Sequence, residues 1–436
     1  MRAWFYIPRR IIPAAAAVFV LLISSGPLHA QQALSWDEVR TRFEVANPTL
    51  LADQNSVDEL KAAEVTAFLR PNPQVGLSSD GTQIAPHTAQ GSNVSHWQPF
   101  TATQLVPTIS YLHERERKRE LRLESAKEAT RIGTDLHHDL ERNMIFALRT
   151  AFVQTLQAKA VLKLAQDDLT YWDKVIAISK SRLEAGDIAR IDFQRIDLQR
   201  VQYESEVETA IVNLRTAKIQ LLQLLNDRTP VDQFDVSGSF DFSETLDPLE
   251  NFRQSALDAR PDLQAAVDTL LQSKTNYKLA VANGSADPTV SMWYSYNPSF
   301  NNPYGRDTLG ASVNLPLRIF DRNQGEKKRT LIDIDRSKRL TEAARAQVFS
   351  DVDAAYEQVR SSIVLLLPYR GKYLDESTSV RETVSFSYEH GGASLMDFLN
   401  AQSDYRQVQL AYLQLIGTYL TAAGQLNLAV GREVIR

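Results

Sequence analysis

The stretch from Ile132 to Leu156, IGTDLHHDLERNMIFALRTAFVQTL, has a strongly periodic pattern of apolar residues. One apolar set recurs in it every four residues: Ile132, Leu136, Leu140, Met144, Leu148, Phe152 and Leu156. This spacing predicts one face of an α-helix. The chain from Leu112 to Glu184 contains no proline and only Gly133 as a weak point, so the helix should be about 70 residues, or about 100 Å, long. No compact globule contains such a helix, and we therefore expect an elongated bundle.

A second helix should follow the first after a break at Gly186 and extend to Asn226. Its apolar residues alternate spacings of three and four, which is typical of a coiled coil: Val207, Ile211, Leu214, Leu221 and Leu225. The second half of the chain predicts the same pair of helices, over Gln324–Tyr388 and Leu395–Val430.

Short segments of the first half recur in the same order in the second half. The correspondences include Asn47-Pro48-Thr49-Leu50 with Arg260-Pro261-Asp262-Leu263, Gln104-Leu105 with Asn314-Leu315, and Asp192-Phe193 with Asp397-Phe398. Their offsets drift slowly, from 213 through 210 to 205 residues. This predicts an internal duplication, with one structural repeat at 31–228 and a second at 229–436.

Each repeat should begin with a helix, Trp36–Leu69 in the first and Leu249–Val281 in the second. Two segments with strand character follow each helix: Gln74–Ser79 and His96–Leu105, then Thr289–Tyr296 and Thr308–Leu317. Loops rich in Gly, Pro, Asn and Ser separate the strands, at 85–93 and 297–305, which predicts two β-hairpins. The fold class is therefore mainly α with a small β part.

Four strands are too few to hide the edges of an independent sheet, but several subunits that each donate four strands can close a shared barrel. Aromatic residues crowd the hairpins: Trp97, Phe100, Trp293, Tyr294, Tyr296, Phe300 and Tyr304. They suit the aromatic girdles of an outer-membrane barrel, and the alternative is an aromatic-rich soluble β-cap.

Residues 1–30 have the pattern of a secretory signal peptide. Arg2, Arg9 and Arg10 give a positive start, Ile11–Ile23 is apolar, and Leu28-His29-Ala30 is an acceptable cleavage site. The alternative is a transmembrane anchor, but the apolar run of about 13 residues is shorter than the roughly 20 that span a bilayer.

Composition excludes several function classes. The chain has no cysteine, a formal net charge of −5 and no basic block, so neither thiol chemistry nor nucleic-acid binding is indicated. No paired carboxylates, catalytic triad or phosphate loop stands out, so we expect no enzyme and no cofactor.

Adjacent helical residues point about 100° apart, so His137-His138-Asp139 indicates a solvated face rather than a metal site. The run from His113 to Arg119 alternates in sign and indicates a solvated, ion-paired face.

Three local motifs resemble those of the TolC family of outer-membrane efflux proteins. Residues 314–325, NLPLRIFDRNQG, look like the family's strand-to-helix junction in its heavy-metal-efflux branch, with Gln104–Thr108 as the first-repeat counterpart. Arg182–Gly186 with Asp192-Phe193, and Tyr388–Gly392 with Asp397–Ala401, look like its two helix–turn–helix tips. The resemblance covers nearly all of the chain after residue 30.

This resemblance implies a homotrimer in the outer membrane of a Gram-negative bacterium. Each protomer would donate four strands to a twelve-stranded β-barrel in contact with lipid, which an α-helical coiled-coil barrel extends into the periplasm. The trimer would be the passive exit duct of a tripartite efflux system with a periplasmic adaptor and an inner-membrane pump of RND type, exporting heavy-metal cations. The alternatives are a channel for drug efflux or type I protein secretion and, from another class, a non-conducting periplasmic coiled-coil scaffold.

The resemblance also assigns candidate roles at the tips. Gly186 and Gly391 would face the adaptor, or would serve turn geometry alone. Asp397 would ring the pore, or would favour a helix start; the family's second acid is replaced by Asn400. Asp192 and Tyr388 would hydrogen-bond neighbouring hairpins and close the gate, or would make ordinary tip contacts. The arginine expected as their partner is absent, because Ala393 occupies its position.

Overall fold

The computed structural model describes residues 33–88, 91, 93–298 and 305–435. The predicted signal peptide at 1–30 lies outside these residues, as do Phe300 and Tyr304 of the predicted aromatic girdle. Among the described residues, no helix combines the length and the apolar character needed to cross a membrane.

The first helix of each half is broken in two, so the prediction of single helices over Trp36–Leu69 and Leu249–Val281 is wrong. The observed helices are α1 (Trp36–Ala46), α2 (Pro48–Ala67), α5 (Leu249–Ala259) and α6 (Pro261–Ala282). Each break falls at a proline, which has no amide hydrogen to continue the preceding helix but fits the first position of the next one. Asn47 stabilises the first break, because its Oδ1 accepts from the amides of Thr49 and Leu50 at 2.9 and 3.2 Å.

The long helices are confirmed. They are α3 (Lys118–Ala185), α4 (Arg190–Leu224), α7 (Gln324–Pro368), α8 (Leu374–Glu389) and α9 (Leu395–Val430). A single π turn, Tyr369–Tyr373, joins α7 to α8. Pro368 immediately precedes this turn and cannot donate an intrahelical hydrogen bond, which accounts for the local change of helix type.

The two hairpins combine into one antiparallel sheet. Its strands are β1 (Gln74–Asp80), β4 (Gln104–Leu112), β5 (Thr289–Tyr296) and β6 (Asp307–Asn314), in the order β1-β4-β5-β6. Two short strands, β2 (His87–Thr88) and β3 (Ser95–His96), form a separate pair in the first hairpin loop. Strands β4 and β5 therefore join the two halves of the chain.

The predicted second strand, His96–Leu105, is wrong, because β4 begins only at Gln104. Pro107 would be expected to exclude a strand, yet it lies inside β4 opposite Leu77. On the other side, the recorded pairing of β4 with β5 passes from Leu105 directly to Thr108, so the missing amide of Pro107 interrupts that ladder.

The correspondence of Gln104-Leu105 with Asn314-Leu315 is wrong for the same reason. Gln104 begins a strand, whereas Asn314 ends β6, three residues before the predicted end at Leu317. The first-half counterpart of the 314–325 junction is therefore the segment between β4 and α3, and not Gln104–Thr108.

The sheet has one mainly apolar and one mainly polar face. Trp293, predicted for the aromatic girdle, lies on the mainly polar face, opposite Thr108 and Gly310. In one row across all four strands, Val75, Ile109, Met292 and Ala311 lie opposite one another. In the adjacent row the corresponding residues are Gln74, Ser110, Ser291 and Ser312. The apolar side chains are exposed in the single chain, and Val75 retains 81% of its accessible surface.

Lys118 anchors the start of α3 to the loop before β5. Its side chain is only 4% exposed, and its Nζ lies 2.6 Å from Asp287 Oδ2. The amide of Arg115 donates to Asp287 Oδ1 at 2.9 Å. Between them, Glu116 and Arg117 adopt positive φ angles of 57° and 56° and turn the chain from strand to helix. The predicted solvated face over His113–Arg119 is therefore wrong for Lys118, which this turn buries.

Candidate functional site

The two helix–turn–helix tips lie side by side. Gly186 ends α3 with a φ of 84°, and Gly391 follows α8 with a φ of 76°. An added Cβ would meet nothing within 4 Å at either position, so the backbone conformation, and not crowding, favours glycine. Arg182 connects the tips, because its Nη1 donates to the Tyr388 carbonyl at 3.2 Å and its guanidinium lies 5.2 Å from the Tyr388 ring centre.

A hydrophobic cluster of four aromatic and two aliphatic side chains supports both turns. We refer to it as the tip cluster: Trp172, Val175, Ile196, Tyr203, Tyr388 and Phe398. Trp172 is fully buried at its centre, and its indole N–H donates to the Ile196 carbonyl at 3.0 Å. Phe398 stacks on Tyr388 with ring centres 4.9 Å apart and on Trp172 at 5.9 Å. The cluster joins α3, α4, α8 and α9, so any separation of the tips has to break these contacts.

Tyr388 is buried, but its hydroxyl has no hydrogen-bond partner among the described residues. Burial raises the pKa of Tyr388; the Arg182 charge opposes this and Asp192 reinforces it. Asp192 itself is half-buried in the first turn of α4. Within one chain, the phenol therefore stacks without making the predicted gate hydrogen bond, and that bond between hairpins of different copies stays a prediction.

Asp397 forms a capping box at the start of α9. Its Oδ2 accepts from the Ser394 hydroxyl at 2.6 Å and from the Ser394 amide at 3.2 Å, while its own amide donates back to the Ser394 hydroxyl. The hydroxyl bond, and then the amide bond, hold the pKa of Asp397 below its usual value. Asp397 and Asn400 are both exposed at the tip. These hydrogen bonds show that Asp397 stabilises the start of α9, and its role in a ring around the pore stays a prediction.

Asp168, which no sequence motif singled out, is only 9% exposed and lies one helical turn before Trp172. Its Oδ2 has no hydrogen-bond partner in the described part of the chain. Burial raises the pKa of Asp168 to about 6, although the charges of Arg381 and Arg406 oppose the shift. Arg406 bonds instead to both oxygens of Glu206, at 2.9 and 3.0 Å. An acid four residues before a tryptophan on an apolar helix face was the available signal.

The His137-His138-Asp139 segment does not form a metal site. His137 is half-buried with its Nδ1 2.8 Å from Asp53 Oδ2, so the predicted solvated face is wrong for this residue. His138 is 55% exposed and lies 3.4 Å from Glu141. Across the ranges that the structure describes, no group of three or more His, Asp or Glu side chains could hold a metal ion.

Asp168→Asn should stabilise the protein more at pH 7.5 than at pH 4.5. A carboxyl whose folded-state pKa is about 6 and whose usual pKa is 3.8 binds its proton more tightly in the folded protein. The contribution of Asp168 to the free energy of unfolding therefore falls as the pH rises between these two pKa values, by up to about 3 kcal/mol. Thermal unfolding at both pH values measures the effect. Asp167→Asn is the control, because Asp167 is exposed on the same helix; equal shifts in the two variants would contradict the burial of Asp168.

The chain is similar in sequence to one protein family and to several known proteins. A family model described as Outer membrane efflux protein matches residues 252–432. The cobalt-zinc-cadmium resistance protein CzcC of Cupriavidus metallidurans is 22% identical over 410 residues, which cover 94% of this chain and 91% of that protein. Nodulation protein T of Rhizobium leguminosarum bv. trifolii is 24% identical over 65% of this chain and 62% of its own length.

Solved channel structures share the fold. CusC superimposes with a TM-score of 0.74 at 16% identity, covering 91% of this chain and 92% of its own. The open-state outer membrane channel MtrE of Neisseria gonorrhoeae superimposes with a TM-score of 0.70 at 17% identity. This superposition covers 98% of this chain and 98% of the MtrE chain. The predicted fold class, mainly helical with a small β part, is confirmed.

Proposed function

Because this chain belongs to the outer membrane efflux protein family, whose members are transport channels and not enzymes, we propose that it forms the exit duct of a tripartite efflux system. The duct itself is passive in this proposal. Its energy comes from an inner-membrane pump of RND type, which a periplasmic adaptor couples to the channel.

The two-faced sheet is the observation that carries the proposal. A sheet with one mainly apolar and one mainly polar face suits a barrel wall between lipid and a water-filled lumen. Strands β1 and β6 are the sheet edges and run in opposite directions, so β6 of one copy can pair antiparallel with β1 of the next. Three copies then close a twelve-stranded barrel, as in the homotrimer that the family resemblance implies.

The helices provide a second line of support. Four exposed apolar residues of α4 recur at multiples of seven: Ile191, Leu198, Val212 and Ile219. A heptad stripe of this kind needs a partner helix along its length. In the proposed trimer, helices of the neighbouring copy cover it and complete a coiled-coil barrel that extends the channel into the periplasm.

The tips then serve as the gate and the adaptor-facing end. We assign Gly186 and Gly391 to the adaptor contact, and Asp397, Asn400, Asp192 and Tyr388 to the closed pore. The repeats at 31–228 and 229–436 would each contribute one tip. Their common element order supports this assignment: α1–α2, a hairpin and α3–α4, then α5–α6, a hairpin and α7–α9.

Heavy-metal cations are the proposed substrate. Support comes from the relative named as a cobalt-zinc-cadmium resistance protein, which matches nearly the whole chain. The relative named nodulation protein T has a comparable identity over a shorter span and supports a second candidate, the same channel serving a different pump. A non-conducting scaffold would leave the two-faced sheet without a role.

Deletion of this gene should lower the zinc, cobalt and cadmium concentrations that inhibit growth, because the duct would no longer remove these cations. The intact gene supplied in trans should restore resistance. The measurement is an inhibition panel of these metals beside a set of organic drugs. Sensitivity to drugs alone would contradict the metal assignment and favour the second candidate.

Met292→Lys should reduce the amount of protein that assembles in the outer membrane, whereas Ser291→Lys should be tolerated. The two residues are adjacent in β5 but lie on the apolar and the polar face. A lysine facing lipid costs about 2–4 kcal/mol at the bilayer midplane, while one facing the lumen stays hydrated. Immunoblots of isolated outer membranes measure the difference. Equal levels of the two variants would contradict the assignment of the faces.

A further inference from the structure

A cavity of about 270 Å³ lies far from the tip, between α1, α3, the start of α6 and the end of α9. Charged side chains dominate its polar lining: Arg40, Arg142, Arg149, Arg432, Glu141 and Glu433. Four arginines face two carboxylates, so the lining carries an excess of positive charge. Trp36, Ile145 and Phe146 contribute apolar walls.

Three of these arginines have close partners. Arg40 Nε lies 2.8 Å from a carboxylate oxygen of Glu44. Arg142 pairs with Asp139 and donates to a backbone carbonyl at 2.6 Å. Arg432 donates to a serine hydroxyl at 2.7 Å. Each of these three guanidinium groups therefore already has a polar partner within the protein.

Arg149 differs from them. No carboxylate among the described residues lies within ion-pair distance of its guanidinium, which instead lies 4.5 Å from the ring centre of Trp36. Burial lowers the pKa of Arg149, and the more distant Glu433 and Asp37 oppose this only in part. The indole N–H of Trp36 also has no acceptor in the described structure. A half-buried cation without a direct ion pair is costly, and an anion in the cavity that contacts Arg149 would offset that cost.

We propose that this cavity binds a small organic anion, whose carboxylate or phosphate group pairs with Arg149 and whose apolar part lies against Trp36, Ile145 and Phe146. The planar guanidinium offers two parallel N–H donors, which match the oxygens of either group. The ligand is a soluble anion and not a lipid headgroup, because Arg149 lies about 45 Å along α3 from the junction with the sheet, at about 1.5 Å per residue. This site is separate from the tip and does not depend on the proposed export function.

The test is calorimetric titration of the purified full-length protein in detergent with phenyl phosphate and with benzoate, at matched ionic strength. Wild type should bind at least one of them saturably. Arg149→Gln should weaken that binding about tenfold or more, as expected when a charge-assisted hydrogen bond is lost. Arg345→Gln is the matched control, since it removes an exposed arginine of α7 that does not line the cavity, and it should bind as wild type does.

Two further measurements keep the proposal testable. Arg149→Lys keeps the charge beside Trp36 but loses the planar pair of donors, so it should bind several-fold more weakly, and it replaces Arg149→Gln if that variant does not fold. Benzyl alcohol, which has the ring but no charge, should not bind. The proposal is overturned if wild type binds neither anion saturably, if the Arg149 variants bind as tightly as wild type, or if benzyl alcohol binds equally well.

Discussion

The exposed apolar face of the four-stranded sheet is the constraint on which the rest of the architecture depends. Leu309 and Val313 of β6 keep 75% and 69% of their surface accessible in the single chain, and Val75 of β1 keeps even more. Water is a poor solvent for such a surface, and four strands also leave two hydrogen-bonding edges. In the proposed trimer, lipid covers the apolar face and neighbouring copies of the chain pair with the edges. The long helices pose the same problem along their length, because the heptad stripe of α4 also lacks a partner within one chain.

Two junctions, at the starts of α3 and α7, connect the sheet to the long helices. At the first junction, buried Lys118 bonds Asp287 and so connects the start of α3 to the loop before β5 in the other half. At the second, Asn323 adopts a left-handed conformation before α7 and donates to the Ala280 carbonyl at 2.8 Å. Both junctions use a side chain at a helix start to bind the loop or helix that precedes β5. The two halves of the chain are therefore joined at one end by the Lys118–Asp287 pair and the β4–β5 pairing, and at the far end by the tip cluster.

The sequence predicts those features that depend on local pattern. The long helices were predictable because their periodicity persists over many turns, and the tips were predictable from glycine. Pro48 and Pro261 served as markers of the duplication, but their capacity to end a helix was overlooked. The position of Pro107 inside β4 is not evident from sequence, because a strand tolerates a proline only where one ladder is interrupted. The position of Asp168 four residues before Trp172 was a local signal, but the degree of its burial depends on which distant helices pack against α3.

In the proposed trimer, copies of this chain join edge to edge through β1 and β6, and cysteine cross-linking tests this pairing. The natural chain contains no cysteine, so a series of cysteine pairs, one on each edge strand, introduces the only thiols. Within one chain these strands are separated by β4 and β5, or about 14 Å, which exceeds the reach of a disulfide. Any bond must therefore join different copies. Oxidation in isolated outer membranes should yield a closed trimer on a denaturing gel for at least one pair in the correct register. A chain that remains monomeric with every cysteine pair would contradict the pairing of β1 with β6 between copies.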